Sequence, residues 1–394
     1  MRPELKKVLP LAAGHGAVDF YMPMASALLP SLIPIFEAQG ISSYIMSGLL
    51  FGVLAVTQVI FQPLFGALTD KNRWIPGLTL CCITTAVAVS MFAVTQNYWI
   101  LRICAIINGI MNSASHPNAY AQIHQFTTAG NRGKIMSIMS VGGSFGYGAA
   151  PLVTGFLYAA GGWTALLFLL IPGIAVGILL IKHPQHPKPV TSQEKKTNGP
   201  KANRKAAAVL LAISSLRCWV YYGFIGFGVV YLTTFAGVEY VAATGAVSCM
   251  LFAGMLGTLS AGYLSDKIGR KEVMIVSYLC GGAAYLSIFF FSGAAAVTAL
   301  LIASFFLMAT ASVEIAAVQE VMPNSVGLAS GVVIGIPQGV TAIALVAIGA
   351  LADASSLSFS LSLQAVFMAA AVILCIFLPY PLKLLKKRTS GNKE

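Results

Sequence analysis

Charge is what this sequence has least of. Asp, Glu, Lys and Arg together make up 9% of its 394 residues, against about a quarter in a soluble domain. A water-facing surface cannot be built from so few charges, so a soluble globular chain is excluded and the bilayer is the solvent that fits. Acidic residues are scarcest, 12 against 24 basic ones. Chemistry-bearing motifs are missing too: no GxxxxGK[ST] to cradle the phosphates of ATP, no HExxH, no CxxC. Neither an enzyme nor a resident cofactor or metal centre is expected. The seven cysteines, Cys81, Cys82, Cys104, Cys218, Cys249, Cys280 and Cys375, lie inside apolar stretches without ligand spacing and read as small packing residues. The basic start runs into apolar sequence with no A-x-A-like cleavage site, so the first apolar stretch is expected to stay as a membrane helix.

Hydrophobic residues supply 57% of the chain. Stretches able to span a bilayer, which takes about 20 apolar residues, fall near 8–36, 44–67, 75–95, 98–121, 134–158, 163–182, 206–235, 241–264, 273–292, 295–319, 326–351 and 359–382. The expected fold is therefore an all-α membrane protein of twelve transmembrane helices. Of the 24 basic residues, 22 stand at the two termini or after even-numbered segments, among them Lys6, Lys7, Lys71, Arg73, Arg132, Lys134, Lys267, Arg270 and Lys271. That bias predicts a multi-pass inner-membrane protein with both termini cytoplasmic. The excess of positive charge is a topology signal, with contact to membrane lipids; nucleic acid is not an expected partner.

The polar, Pro-containing segment 183–205 reads as a cytoplasmic linker. It divides residues 1–182 from residues 206–394, six segments each. The halves repeat: GALTD at 66–70 and GYLSD at 262–266 are 196 residues apart, Gly133 and Gly155 match Gly327 and Gly349 at 194, and Lys6-Lys7 match Arg204-Lys205 at 198. Both halves start on the same side, so the repeats are parallel.

GYLSDKIGRK at 262–271 resembles the signature between the second and third helices of each half in the major facilitator superfamily. The resemblance implies two pseudo-symmetric six-helix bundles and gating roles for Asp266, Arg270 and Lys271, with Asp70 in the N-terminal copy. That copy, GALTDKNRW, lacks the second glycine. GGSFGYGAAPLVTG at 142–155 resembles an antiporter pattern of the family, although close helix packing around Pro151 would explain it equally. HGAVDFYMPMASALLPSLIPIF at 15–36, SASHPNAYA at 113–121, SLRCWVYYG at 215–223, QEVMPNSVGLASGVVIGIPQG at 319–339 and GALAD at 349–353 resemble the fosmidomycin-resistance branch. Where that branch has His-Pro-Glu, this chain has His116-Pro117-Asn118.

An ionisable side chain at membrane depth costs about 2.5–3.5 kcal/mol on insertion scales and usually faces a partner or a water path. His15 and Asp19 are one helical turn apart, and Asp19 lies roughly 16 Å into its segment at 1.5 Å per residue. The 198-residue offset makes Arg217 the repeat equivalent of Asp19. Burial favours a neutral carboxyl and a nearby cation an ionised one, so movement between states can load and unload a proton. Asp19, His15 and Glu314 are the expected proton-coupling residues. Arg217 is expected to hold an anionic substrate group or to be the counter-ion of Asp19, and a static ion pair is the plainer alternative. His116, Tyr21, Trp219, Tyr221 and Tyr147 are candidate substrate-binding residues, while Glu320 and His124 read as solvated and Arg102 as snorkelling. The expected function is proton-coupled export of a small anionic or polar toxic compound by a monomer. Uptake of an organic anion or nutrient, or a membrane sensor, remain as alternatives.

Overall fold

The computed structural model describes residues 3–41, 43–71, 73–124, 132–184, 203–323 and 326–381. Among them every regular element is helical: α1 (Pro3–Phe20), α2 (Met24–Ala38), α3 (Ser43–Asp70), α4 (Leu78–Ser90), α5 (Tyr98–His124), α6 (Arg132–Ala165), α7 (Leu170–Leu180), α8 (Arg204–Thr234), α9 (Tyr240–Ile268), α10 (Arg270–Ser287), α11 (Gly293–Val321), α12 (Val326–Ala354), α13 (Leu357–Ser362) and α14 (Ala365–Phe377), with short 3₁₀ turns after α4, α6 and α10. The greater part of the expected linker 183–205 lies outside the described residues.

Nine helical stretches among the described residues are long and apolar enough to cross a membrane. The difference from the twelve expected segments has three local causes. Gly161 and Gly162 take non-helical backbone angles, Gly162 with φ 61°, and interrupt what otherwise counts as one 46-residue apolar stretch, Ile135–Leu180. The apolar helix Leu78–Ala93 is short. And α5 is long enough but carries Arg102, Asn108, Asn112, His116, Asn118 and Gln122. Large apolar side chains such as Phe156, Phe290 and Phe377 point outward, an arrangement that lipid tolerates and water does not.

The chain divides into two compact units, one of Met1–Gln193 with Tyr240–Ser248, the other of Glu194–Glu239 with Cys249–Glu394. In the first, α1 stops at Phe20 because Pro23 lacks an N–H and its ring collides with the preceding turn. One carbonyl at the break, that of Tyr21, accepts from Asn108 Nδ2 at 3.1 Å. Tyr21 and Met24 then join Leu28, Leu32, Phe36, Tyr98 and Leu166 in a core cluster. Glycines let α1 and α6 approach backbone to backbone: a Cβ on Gly146 would stand 1.9 Å from the Gly16 carbonyl oxygen, and one on Gly142 2.5 Å from that of Ala12. Near its other end, α6 meets the start of α9, where a Cβ on Gly155 would sit 2.2 Å from Thr244 Oγ1. Gly142, Gly146 and Gly155 are thus packing positions, where small residues replace side-chain bulk with helix contact.

In the second unit α8 is buried on almost every side from Gly223 to Leu232, which marks a helix central to its bundle. Its α9–α10 corner turns on Gly269, at φ 119° and ψ 144°, where a Cβ would also strike the Glu272 carboxylate at 2.0 Å. Only glycine holds that backbone without strain, which explains the second glycine of the signature. Gly269→Ala is expected to destabilise the protein by about 1–3 kcal/mol, read as a lower thermal-unfolding midpoint of the detergent-solubilised protein. An unchanged midpoint would show that the corner relaxes freely.

Candidate functional site

Asp19 stands in the last turn of α1, where a carboxylate meets the negative end of the helix dipole. It is held there by two imidazoles and an amide. His15, one turn earlier on the same face, places Nε2 3.1 Å from Asp19 Oδ2. His116 of α5 brings Nε2 to 3.5 Å from Oδ1, and Asn112 donates from Nδ2 to the same oxygen at 3.0 Å. The imidazoles meet edge to face, with centroids 4.9 Å apart, and Tyr120 lies against both rings.

The surrounding shell fixes these groups. His15 Nδ1 lies 3.0 Å from the Met139 carbonyl of α6. That contact needs a proton on Nδ1 and leaves the lone pair of neutral His15 on Nε2, toward the carboxylate. Asn112 is oriented in turn by Gln58 of α3, whose Nε2 donates to Asn112 Oδ1 at 2.8 Å. Gly143 closes the roof: a Cβ there would stand 2.5 Å from His15 Cε1 and 2.7 Å from Asp19 Oδ2. The cluster is sheltered without being sealed, since the Asp19 and His116 side chains keep 15% and 17% of their exposure. Asn118, where the resembled branch has glutamate, is buried; it donates to the Pro76 carbonyl and accepts from Gln122.

The second unit has its own buried charge pair. Arg217 of α8 reaches Glu314 Oε2 of α11 through Nε and Nη2, both at 3.2 Å. Nη2 also contacts Ser214 Oγ at 3.3 Å. Tyr278 of α10 donates to Glu314 Oε1 and accepts from Thr310. Both Glu314 oxygens are therefore engaged, and its side chain is wholly buried. This corrects the expected pairing. The counter-ion of Arg217 is Glu314, the partners of Asp19 are His15 and His116, and each charge is compensated inside its own unit.

The other expected residues separate into groups. Tyr21, just after α1, lines a small cavity with Met24, Leu50 and Asn108, while its hydroxyl donates to the Leu169 carbonyl at 2.7 Å and accepts from Gly173 N–H at 2.9 Å, pinning the end of α1 to α7 and the turn before it. Trp219 is half-buried with its edge against Phe367, and Tyr221 is buried against Tyr222. Tyr147 is half-buried on α6. Arg102 stacks over Trp99, 5.8 Å from the ring centre.

At the signature, Arg270 bridges Asp266 at 3.0 Å and Glu320 at 2.7 Å, and its Nη1 donates to Ser265 Oγ. Tyr380 donates to the other Glu320 oxygen. Burial, reinforced by that carboxylate, pushes the Tyr380 phenol up and keeps it a donor. Glu320, expected to be solvated, is thus a junction of α10, α11 and the segment after α14. Lys271, expected in a gate, donates from Nζ to the Ile376 and Leu378 carbonyls at 2.8 Å each and caps α14. Asp70 ends α3 with its side chain outside the described residues, as is that of His124.

Sequence reasoning found His15 with Asp19 from their spacing. It missed the convergence of His116, Asn112 and Gln58, which depends on how α3 and α5 pack. It also missed Tyr278 as the second partner of Glu314, because nothing in α10 marks one tyrosine above another.

A family model described as Major Facilitator Superfamily matches residues 18–336. An uncharacterized MFS-type transporter of Bacillus subtilis is 26% identical over 369 residues, spanning 91% of this chain and 90% of that protein. The fosmidomycin resistance protein of Escherichia coli is 24% identical over 365 residues, spanning 90% and 89%. In fold, the chain is similar to a bacterial homolog of the human lysosomal transporter Spinster, solved in an inward-facing and occupied conformation, with a TM-score of 0.80 at 17% identity over 96% of this chain and 97% of that one. The family match across most of the sequence, joined to an all-helical chain with many apolar spans, makes this a multi-pass membrane transporter that belongs to the Major Facilitator Superfamily.

Proposed function

We propose that the chain is a proton-coupled exporter of a small anionic or polar toxic compound of the fosmidomycin type. It crosses the bacterial inner membrane twelve times with both termini in the cytoplasm, and works by alternating access of its two six-helix halves, 1–182 and 206–394, joined by the linker 183–205. The observation that carries this reading is a membrane-depth carboxylate, Asp19, held by two imidazoles and partly accessible. Such a group can exchange a proton with a water path, and a neighbouring imidazole can take it up without a charge being stranded in a medium of low dielectric. His116, which touches Asp19, couples the proton to an anionic substrate, with Trp219, Tyr221 and Tyr147 contributing aromatic surface. The relatives support the direction and substrate class, one of them being a fosmidomycin resistance protein. The Arg270–Asp266–Glu320 cluster supports a gating role at the cytoplasmic end.

The test is fosmidomycin susceptibility with and without the gene, paired with uptake into everted vesicles energised by a pH gradient. The reading expects a resistance gain from expression and gradient-dependent accumulation that a protonophore abolishes. Unchanged susceptibility, with growth on a sole organic-anion nutrient lost on deletion, would instead make the chain an importer.

A further inference from the structure

We infer that His15, Asp19 and His116 form a binding site for one divalent transition-metal ion of the zinc class. One ligand atom from each lies within 4.8 Å of the others. Zinc bonds to imidazole nitrogen and carboxylate oxygen of 2.0–2.2 Å give a tetrahedral edge of about 3.3 Å. His15 Nε2 lies 3.1 Å from Asp19 Oδ2 and His116 Nε2 3.5 Å from Oδ1, so each imidazole faces its own carboxylate oxygen at about that spacing. The ligands also carry the outer contacts that metal sites use. His15 Nδ1 faces the Met139 carbonyl, so Nε2 presents the lone pair, and Asn112 supports the carboxylate.

Two imidazoles and one carboxylate favour zinc, cobalt or nickel over magnesium or calcium, which prefer oxygen cages. Among the described residues, the ion pairs of Asp19 are both to imidazoles, which can serve as metal ligands. Three protein ligands leave a fourth position open to water. The sequence did not announce this site. His15 and Asp19 lie about a hundred residues from His116 and follow no metal motif.

The experiment titrates the full-length protein, purified in detergent with an affinity tag free of histidine, with ZnCl₂ by calorimetry and with CoCl₂ by visible absorption. One ion per chain is expected, with the intense visible bands of four-coordinate cobalt. His15→Asn and His116→Asn should each weaken binding by about 10-fold or more, while His183→Asn should leave it unchanged. His116→Cys guards against variants that simply misfold: it should keep the metal and add a near-ultraviolet thiolate-to-cobalt band. Binding that survives in a His15→Asn/His116→Asn double variant, or a His116→Cys protein that binds cobalt without the new band, overturns the assignment. This inference stands apart from proton coupling. If both hold, Zn²⁺ also inhibits gradient-driven transport; binding without inhibition would count against the coupling role of Asp19 and leave the metal site intact.

Discussion

Asp19→Asn is expected to abolish gradient-driven export while leaving substrate binding and the fold in place. Asparagine is nearly isosteric with aspartate, and its amide can still meet the Asn112 and imidazole contacts. What it cannot do is take up and release a proton. Transport driven by a pH gradient should fall at least about 100-fold, since general acid–base groups contribute on the order of 10²–10⁴ where a proton must move. Counterflow exchange of fosmidomycin across proteoliposomes without a gradient should persist. Loss of both activities would mean that Asp19 is a structural pin, and retention of both would remove it from coupling.

The second large effect is expected at the buried pair of the other unit. Glu314→Ala leaves Arg217 without its counter-charge among Met308, Ser214 and Tyr278, and Arg217→Ala strands Glu314. Removing one partner of a buried pair costs about 3–5 kcal/mol, whereas replacing both by apolar residues of similar volume is often neutral. Each single variant should lower the thermal-unfolding midpoint sharply, and Arg217→Met with Glu314→Leu should recover most of it. If the pair only holds the bundle together, transport recovers with stability. If Glu314 carries a proton, as its place at membrane depth leads one to expect, the double variant is stable and inactive. A stable Glu314→Ala would show that the pair is not compensated as the geometry requires.

Much of the molecule was written in the sequence, for reasons that can be named. Apolar stretches depend on local composition, and helices cover them among the described residues. The His15–Asp19 pair follows from helical spacing alone. Partner assignment does not. The repeat offset relates Asp19 and Arg217 in sequence, but such a relation says nothing about which side chain fills the facing position. A plainer rule would have served: Arg217 and Glu314 are the opposite charges at membrane depth in one half, and pairing within a half satisfies both without the other.

The GYLSDKIGRK signature shows the same limit. Gly269 could be read from its motif because a positive φ excludes other residues. The sequence could not show that Lys271 caps α14 or that Glu320 anchors Arg270 and Tyr380, because those contacts bring together residues 50 to 107 positions apart. Nor could it show that the Tyr21 hydroxyl is held by backbone groups of Leu169 and Gly173, about 150 positions away.

The central claim is that the His15–Asp19–His116 cluster exchanges a proton in step with substrate. The most direct measurement is proton release from the purified protein in lightly buffered detergent solution when fosmidomycin is added, followed with a pH indicator. The wild-type chain should release a proton on binding, and Asp19→Asn should bind the same compound and release none. Equal release from both proteins would contradict the account.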